Sequence, residues 1–189
     1  MKAYTGRITG ISAWLFCRDL MPLLAALLSV ANPVIAVTVN ASFDVTATLQ
    51  NGCLFGVSSS SSSNMGTLSF GSQSATATNV DVVSSTGSGS IVVTCTPGAS
   101  ISIALDYGAN GGSSAQRYMK NSAGTRTLPY QLYRDAARSQ VWGTGALALT
   151  VPSFPSTTQT YTVYARYFGA TPLPAAGQYT DSVTINVTY

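Results

Sequence analysis

Val37-Thr38-Val39-Asn40-Ala41-Ser42-Phe43-Asp44-Val45-Thr46-Ala47-Thr48-Leu49 is the stretch on which the reading of this 189-residue chain turns. Every odd position is apolar and every even position polar, the period-2 pattern of a strand with one buried face. Thirteen residues of strict alternation exceed the usual strand of about five or six. Fully extended they would reach roughly 43 Å, more than one small sandwich covers. Two readings follow. Either part of the segment projects beyond its own domain, to be received by another sheet edge, or it is a single long strand with a bend near Thr46. A projecting, half-apolar strand without a partner is an aggregation hazard.

Upstream, residues 1–19 are polar and basic, and Leu20 to Val30 reads LMPLLAALLSV. That apolar run has the length of a secretory h-region and is too short to span a bilayer. Val34 and Ala36 stand at the −3 and −1 positions of a cleavage site, so residues 1–36 are expected to be a signal peptide, with a cut after Ala31 as the weaker option and a membrane anchor as the competing reading. The mature chain would start at Val37, or the true start codon would lie downstream near Met21. Of the three cysteines, Cys17 leaves with the leader. Cys53 and Cys95 remain as a pair in a chain bound for an oxidising compartment, and a structural disulfide between them is expected. The absence of C-x-x-C spacing counts against a redox pair.

Downstream, apolar residues alternate and Gly, Ser, Thr and Asn interrupt them every eight to twelve positions, the all-β pattern. Strands are predicted over Ile91–Cys95, Ile101–Leu105, Leu128–Tyr133, Tyr161–Tyr167 and Tyr179–Tyr189. Shorter ones are predicted over Thr67–Phe70, Val80–Val83 and Ala146–Val151. This count favours a β-sandwich over a barrel or repeat array. Six consecutive serines, Ser58 to Ser63, are expected to form a mobile loop, against a glycan-attachment or recognition role. The sequons at Asn40 and Asn186 fall inside predicted strands and read as chance matches.

Composition restricts the chemistry. The chain has no histidine, and all six acidic residues are aspartates. The commonest general base, the commonest metal ligand and the long-armed acid are therefore missing, and no catalytic residue, metal or cofactor is expected. No G-x-S-x-G elbow, Ser-x-x-Lys spacing or Walker loop is present. Charged residues make up 8% of the chain, against roughly 25% in an average domain. Without the leader the net charge of +3 falls to +1, because Lys2, Arg7, Arg18 and Asp19 lie there. No basic stripe remains for nucleic acid.

The sequence resembles the spore coat protein U family, which includes the pilins of archaic (Csu-type) chaperone–usher pili. The resemblance runs from the alternating N-terminus into Asn51-Gly52-Cys53 and Gly66-Thr67-Leu68-Ser69-Phe70-Gly71. It continues through Ile91 to Gly98, Leu105-Asp106-Tyr107-Gly108, Arg117-Tyr118-Met119, Leu128 to Asp135 and Val141-Trp142-Gly143. It closes with Gly177 to Ile185 and the terminal Tyr189. It implies an all-β, incomplete immunoglobulin-like β-sandwich completed by a donor strand from another chain. Residues 37–46 would be the N-terminal donor extension and 47–189 the pilin-like domain. The donor's core-directed side chains would be Val37, Val39, Ala41, Phe43 and Val45, and Cys53 and Cys95 would match the family's disulfide. Tyr179, Val183, Ile185 and Val187 would line one wall of the acceptor groove.

The implied partners are neighbouring or related pilin subunits in a head-to-tail polymer, a periplasmic chaperone and an outer-membrane usher. The implied destination is a cell-surface fimbrium reached through the periplasm, serving attachment and biofilm formation. The competing function is a self-contained secreted or coat-associated module that recognises carbohydrate or another surface, with Trp142 and the tyrosines as stacking faces. A small outer-membrane barrel is a third reading, set against strands too short for it.

Overall fold

A computed structural model describes residues 37–57, 60–61 and 64–189, with the backbone alone at Val57, Ser60 and Ser61. The expected leader, its cleavage sites, Cys17 and most of the serine run lie outside the described residues. The chain divides into two units, Met1–Thr46 and Ala47–Tyr189.

In the first unit, residues 37–46 are exposed and carry no strand, and the same holds on to Asn51 and Gly52. The long strand expected there is not formed in the single chain. Strand geometry persists only where a second strand takes up its N–H and C=O groups along its length, and no described strand pairs with these residues.

The second unit is all-β. Its strands are β1 (Cys53–Val57), β2 (Ser60–Ser61), β3 (Val80–Val83), β4 (Ile91–Cys95), β5 (Ile101–Leu105) and β6 (Arg117–Asn121), followed by β7 (Thr127–Tyr133), β8 (Leu149–Val151), β9 (Gln159–Tyr161), β10 (Tyr164–Tyr167), β11 (Tyr179–Thr180) and β12 (Ile185–Thr188). They form three sheets, in the orders β2-β1-β4-β9, β11-β6-β7-β10-β3 and β12-β5-β8. Every pairing is antiparallel. β4 and β5 alternate between buried and half-buried positions, as their sequences require. Ile91, Val93, Ile101, Ile103 and Leu105 join Leu132, Trp142, Phe154 and Ala165 in one hydrophobic cluster.

Four predicted strands come out differently. Tyr161–Tyr167 breaks at Val163, whose N–H donates to Ser84 Oγ at 2.7 Å while its carbonyl accepts from the Ser84 N–H at 2.9 Å. The buried Ser84 thus takes the place of a strand neighbour, and the two halves pass to different sheets. Tyr179–Tyr189 likewise divides into β11 and β12, in different sheets. Thr67–Phe70 forms no strand; only Gly66 bridges Ser88, and Phe70 instead sets its ring 6.2 Å from those of Tyr130 and Tyr167. Ala146–Val151 opens as a 3-10 turn, Gly145–Leu147, before β8. Part of the serine run, β2, pairs with Gly56 and Val57 rather than looping freely.

The charge-poor surface has a consequence for pH. Asp81 lies between Arg166, 2.7 Å away, and Arg138, 3.1 Å away, and its hydrogen bond from Arg166 holds its carboxyl below the usual range. That stabilisation is present above the ordinary aspartate pKa and is lost as pH falls through the lowered folded value. It is small, because the side chain is 34% exposed. At the other end, burial raises the phenols of Tyr130, Tyr133, Tyr161 and Tyr167. Their neutral forms are favoured in the fold, so stability declines once pH exceeds the ordinary tyrosine value of about 10. With no His or Glu to titrate between, Tm is expected to be flat from about pH 5 to about pH 9. A slope of several degrees within that window, measured by circular dichroism, would contradict this account.

Candidate functional site: an open cleft between two strand edges

β1 uses its two edges unequally. On one side Cys53, Leu54 and Phe55 oppose Cys95, Thr94 and Val93 of β4. On the other side β2 covers only Gly56 and Val57, so Cys53 to Phe55 have no strand beside them among the described residues. β12 pairs with β5 along one edge, Ile185 opposite Leu105 and Thr188 opposite Ser102, and no described strand lies along its other edge. Both strands line one cleft of about 90 Å³, together with Val93: Cys53, Leu54 and Phe55 from β1, Val187 and Tyr189 from the C-terminal end. Val93 is fully buried and Phe55 and Val187 pack partly buried against the core, so the hydrophobic interior continues to the surface here. Unpaired backbone on both sides of an apolar trough is a template for one more strand.

Polar groups fix the chain where it crosses from β11 to β12. Asp181 Oδ1 accepts from the N–H of Ala109, the N–H of Ser182 and Asn110 Nδ2, each at 2.9 Å. Its Oδ2 accepts from the Tyr130 hydroxyl at 2.6 Å. Asp106 Oδ1 accepts from the N–H groups of Gly108 at 3.0 Å and Thr184 at 2.9 Å. Behind Asp106 lies Arg117, fully buried. Arg117 Nε donates to the Asp106 carbonyl at 2.9 Å, Nη2 to the same oxygen at 2.5 Å and to the Trp142 carbonyl at 2.8 Å, and Nη1 to Gln131 Oε1. Its guanidinium stands 5.3 Å from the Tyr107 ring centroid, within cation–π range. Burial pulls its pKa below the ordinary guanidinium value, and a guanidinium remains charged even so.

The residues singled out in the sequence are placed as follows. Cys53 and Cys95 are directly opposite in register and joined by a disulfide. Val37, Val39, Ala41, Phe43 and Val45 are all exposed, Phe43 to 86%. The four residues assigned to one groove wall do not share a strand. Tyr179 belongs to β11 and pairs with Asn121, Val183 lies in the crossing, and Ile185 and Val187 are on β12. Only Val187 of the four lines the cleft. Leu54, Phe55, Val93 and Tyr189 are not among the residues expected at the groove, although Tyr189 ends the predicted C-terminal strand. The adjacent pair Leu54-Phe55 is a legible signal, since neighbouring apolar residues on a strand face opposite sides and require cover on both. Arg117 carries no such signal.

Trp142 is 1% exposed and its indole N–H donates to the Ile103 carbonyl at 2.9 Å. It fills the core and offers no stacking face, contrary to the carbohydrate-binding reading. A second cleft, of about 200 Å³, is lined by Thr125, Arg126, Thr127, Ala170, Thr171, Pro172 and Pro174, without an aromatic ring. Among the described residues no group of three or more potential ligands could hold a metal, and no helix is long and apolar enough to cross a membrane.

Two solved structures show the extent of likeness to known proteins. One is the CsuC–CsuE chaperone–tip adhesion subunit pre-assembly complex from archaic chaperone–usher Csu pili of Acinetobacter baumannii: TM-score 0.49, 19% identity, 75% of this chain and 41% of that one covered. The other is a chaperone–tip adhesin complex of CFA/I fimbriae biogenesis: TM-score 0.40, 20% identity, 60% of this chain and 36% of that one covered. The chain thus spans less than half the length of either. No curated protein sequence matches. Residues 39–186 match the Spore Coat Protein U domain, and the chain belongs to that family.

Proposed function

We propose that this protein is a structural subunit of a cell-surface fibre, assembled by donating residues 37–45 to the open cleft of a neighbouring subunit. The carrying observation is complementarity within one chain. A cleft bounded by two unpaired edges occurs together with an exposed segment whose apolar side chains recur every second residue. Backbone hydrogen bonds to β1 and β12 supply pairing, and Val37, Val39, Ala41, Phe43 and Val45 supply the apolar face. Such contacts are head-to-tail and do not close, so repetition yields a filament. Until a neighbour arrives, the cleft needs a strand lent by a periplasmic chaperone, and an outer-membrane usher passes the subunit outward. The destination is a fimbrium, the role attachment rather than catalysis.

Deleting Val37 to Val45 tests the reading. The shortened subunit is expected to accept a donor yet give none, so that it forms no polymers in size-exclusion chromatography or electron micrographs. Assembly equal to that of the mature chain would sink the proposal.

A further inference from the structure

β12 starts after a crossing between sheets and, among the described residues, is held along one edge alone. β4, β5, β7 and β10 each lie between two strands. A strand with two neighbours has its register specified twice over; β12 has only β5. A slip of one residue would turn Asn186 and Thr188 inward and Ile185 and Val187 outward, spoiling the face that an incoming strand must meet. The neighbour that would supply the second specification is, on the strand-donation reading, the incoming strand itself. Something in the unfilled subunit must therefore hold the register.

The crossing carries that hold. Asp106 N donates to the Thr184 carbonyl at 3.0 Å while the Asp106 carboxylate accepts from the Thr184 N–H at 2.9 Å, pinning the residue immediately before β12. The Ala109 N–H donates to the Ser182 carbonyl at 3.0 Å, and Asn110 Nδ2 spans the carbonyls of Tyr118 and Thr180, each at 3.0 Å, and the Asp181 carboxylate. Asp106 thus ties the crossing to the end of β5, Asp181 ties it to Tyr130 of β7, and Asn110 ties it to Tyr118 of β6. Arg117 then fixes the Asp106 backbone from inside. Buried ion sites are often replaceable by apolar residues without loss of stability, so stability alone does not account for a cation here. Its donors meet three separate segments, at Asp106 just after β5, at Gln131 within β7 and at Trp142, which is what a device for relative position requires.

We propose that Asp106 and Asp181, organised around the buried Arg117, are positioning residues that lock the register of β12 for an incoming strand. The proposal rests on the strand-donation reading. It predicts an asymmetric defect, in which a subunit with the lock broken donates normally and accepts poorly.

The test uses complete mature chains that carry single substitutions. Asp181→Ala alone is expected to lower polymer yield at least about tenfold, since four hydrogen bonds to one carboxylate are lost. Phe43→Asp supplies the complementary partner, able to accept but not donate. Mixed one to one, the two variants are expected to give heterodimers by light scattering, through the intact extension of Asp181→Ala and the intact cleft of Phe43→Asp. Gly108→Ala is a second lock variant. Gly108 has φ +82°, and an added Cβ would lie 2.0 Å from Asp181 Oδ2. It should reproduce the same donor-competent, acceptor-poor behaviour without removing a carboxylate. Wild-type polymer yield from Asp181→Ala would overturn the lock, and so would a mixture that forms no heterodimer while Phe43→Asp still accepts the wild-type extension. Polymers from Phe43→Asp alone would instead overturn strand donation itself.

Discussion

On the proposed strand-donation reading, Phe43→Asp in a chain that begins at Val37 is expected to leave monomers where the unaltered chain would form polymers, with affinity for a neighbour reduced at least about a thousandfold. Two effects add. Phe43 is 86% exposed in the single chain, so nearly all of its ring area is available for burial, worth about 2–3 kcal/mol. The replacement then carries a carboxylate into an apolar trough without a cationic partner: Leu54, Phe55, Val93 and Val187 offer it nothing. That costs at least a further 2 kcal/mol or so. A combined loss near 4–5 kcal/mol is about three powers of ten in affinity. The period-2 argument supplies its own control. Ser42→Asp puts the same charge one residue away on the opposite face, where it stays in water, and is expected to leave polymer yield unchanged. Equal loss in both variants would show that charge in the segment, rather than an inward-facing Phe43, matters.

Replacing both Cys53 and Cys95 by Ser is expected to lower stability by about 4 kcal/mol. The cysteines are 42 residues apart in sequence, and opening a loop of that size returns this much chain entropy to the unfolded state. Against a total of about 5–15 kcal/mol the loss is large, and it corresponds to a fall in Tm of roughly 10–15 °C at this size. The site also suffers. The disulfide anchors the first residue of β1, the start of its open edge. Without it β1 is tied there by the Gly52 N–H to Thr96 Oγ1 bond at 3.0 Å and the Thr96 N–H to Gly52 carbonyl bond at 2.9 Å. Both residues at that end are near solvent, so fraying of the edge is expected before the core melts. Thermal melts of the oxidised, reduced and doubly substituted forms check the figure. A change in Tm below about 3 °C would refute it.

Much of the fold is legible in particular residues. Ile91-Val92-Val93-Thr94-Cys95 and Ile101-Ser102-Ile103-Ala104-Leu105 alternate cleanly, and both become strands with the expected faces buried. Each has a neighbour on either side, so its own pattern suffices. Where legibility fails, the cause is competition for partners. Nothing in Tyr161 to Tyr167 announces that the chain leaves one sheet for another at Val163, because the reason is a buried serine 79 residues away. Tyr179 to Tyr189 looks like one strand for the same reason: alternation reports which face is apolar and is silent about which sheet receives it. The cleft was visible only in part. Val187 and Tyr189 follow from alternation, whereas Phe55 and Val93 reach the same cleft from separate positions that only folding brings together.

By itself the sequence determined the all-β class, the cysteine pair, the poverty of chemistry that goes with having no His or Glu, and the alternating segment from Val37 to Leu49. These are local properties of period, residue type and count. Only the tertiary structure decided that β1 and β12 each leave an edge open on a common trough, that Trp142 is core, and that Arg117 lies buried beneath the crossing into β12. Those are matters of which distant backbones meet, settled by how three sheets share one hydrophobic cluster. The alternation of residues 37–49 stands between the two: its pattern specifies a strand, but a strand is completed only by a neighbour, and among the described residues it has none.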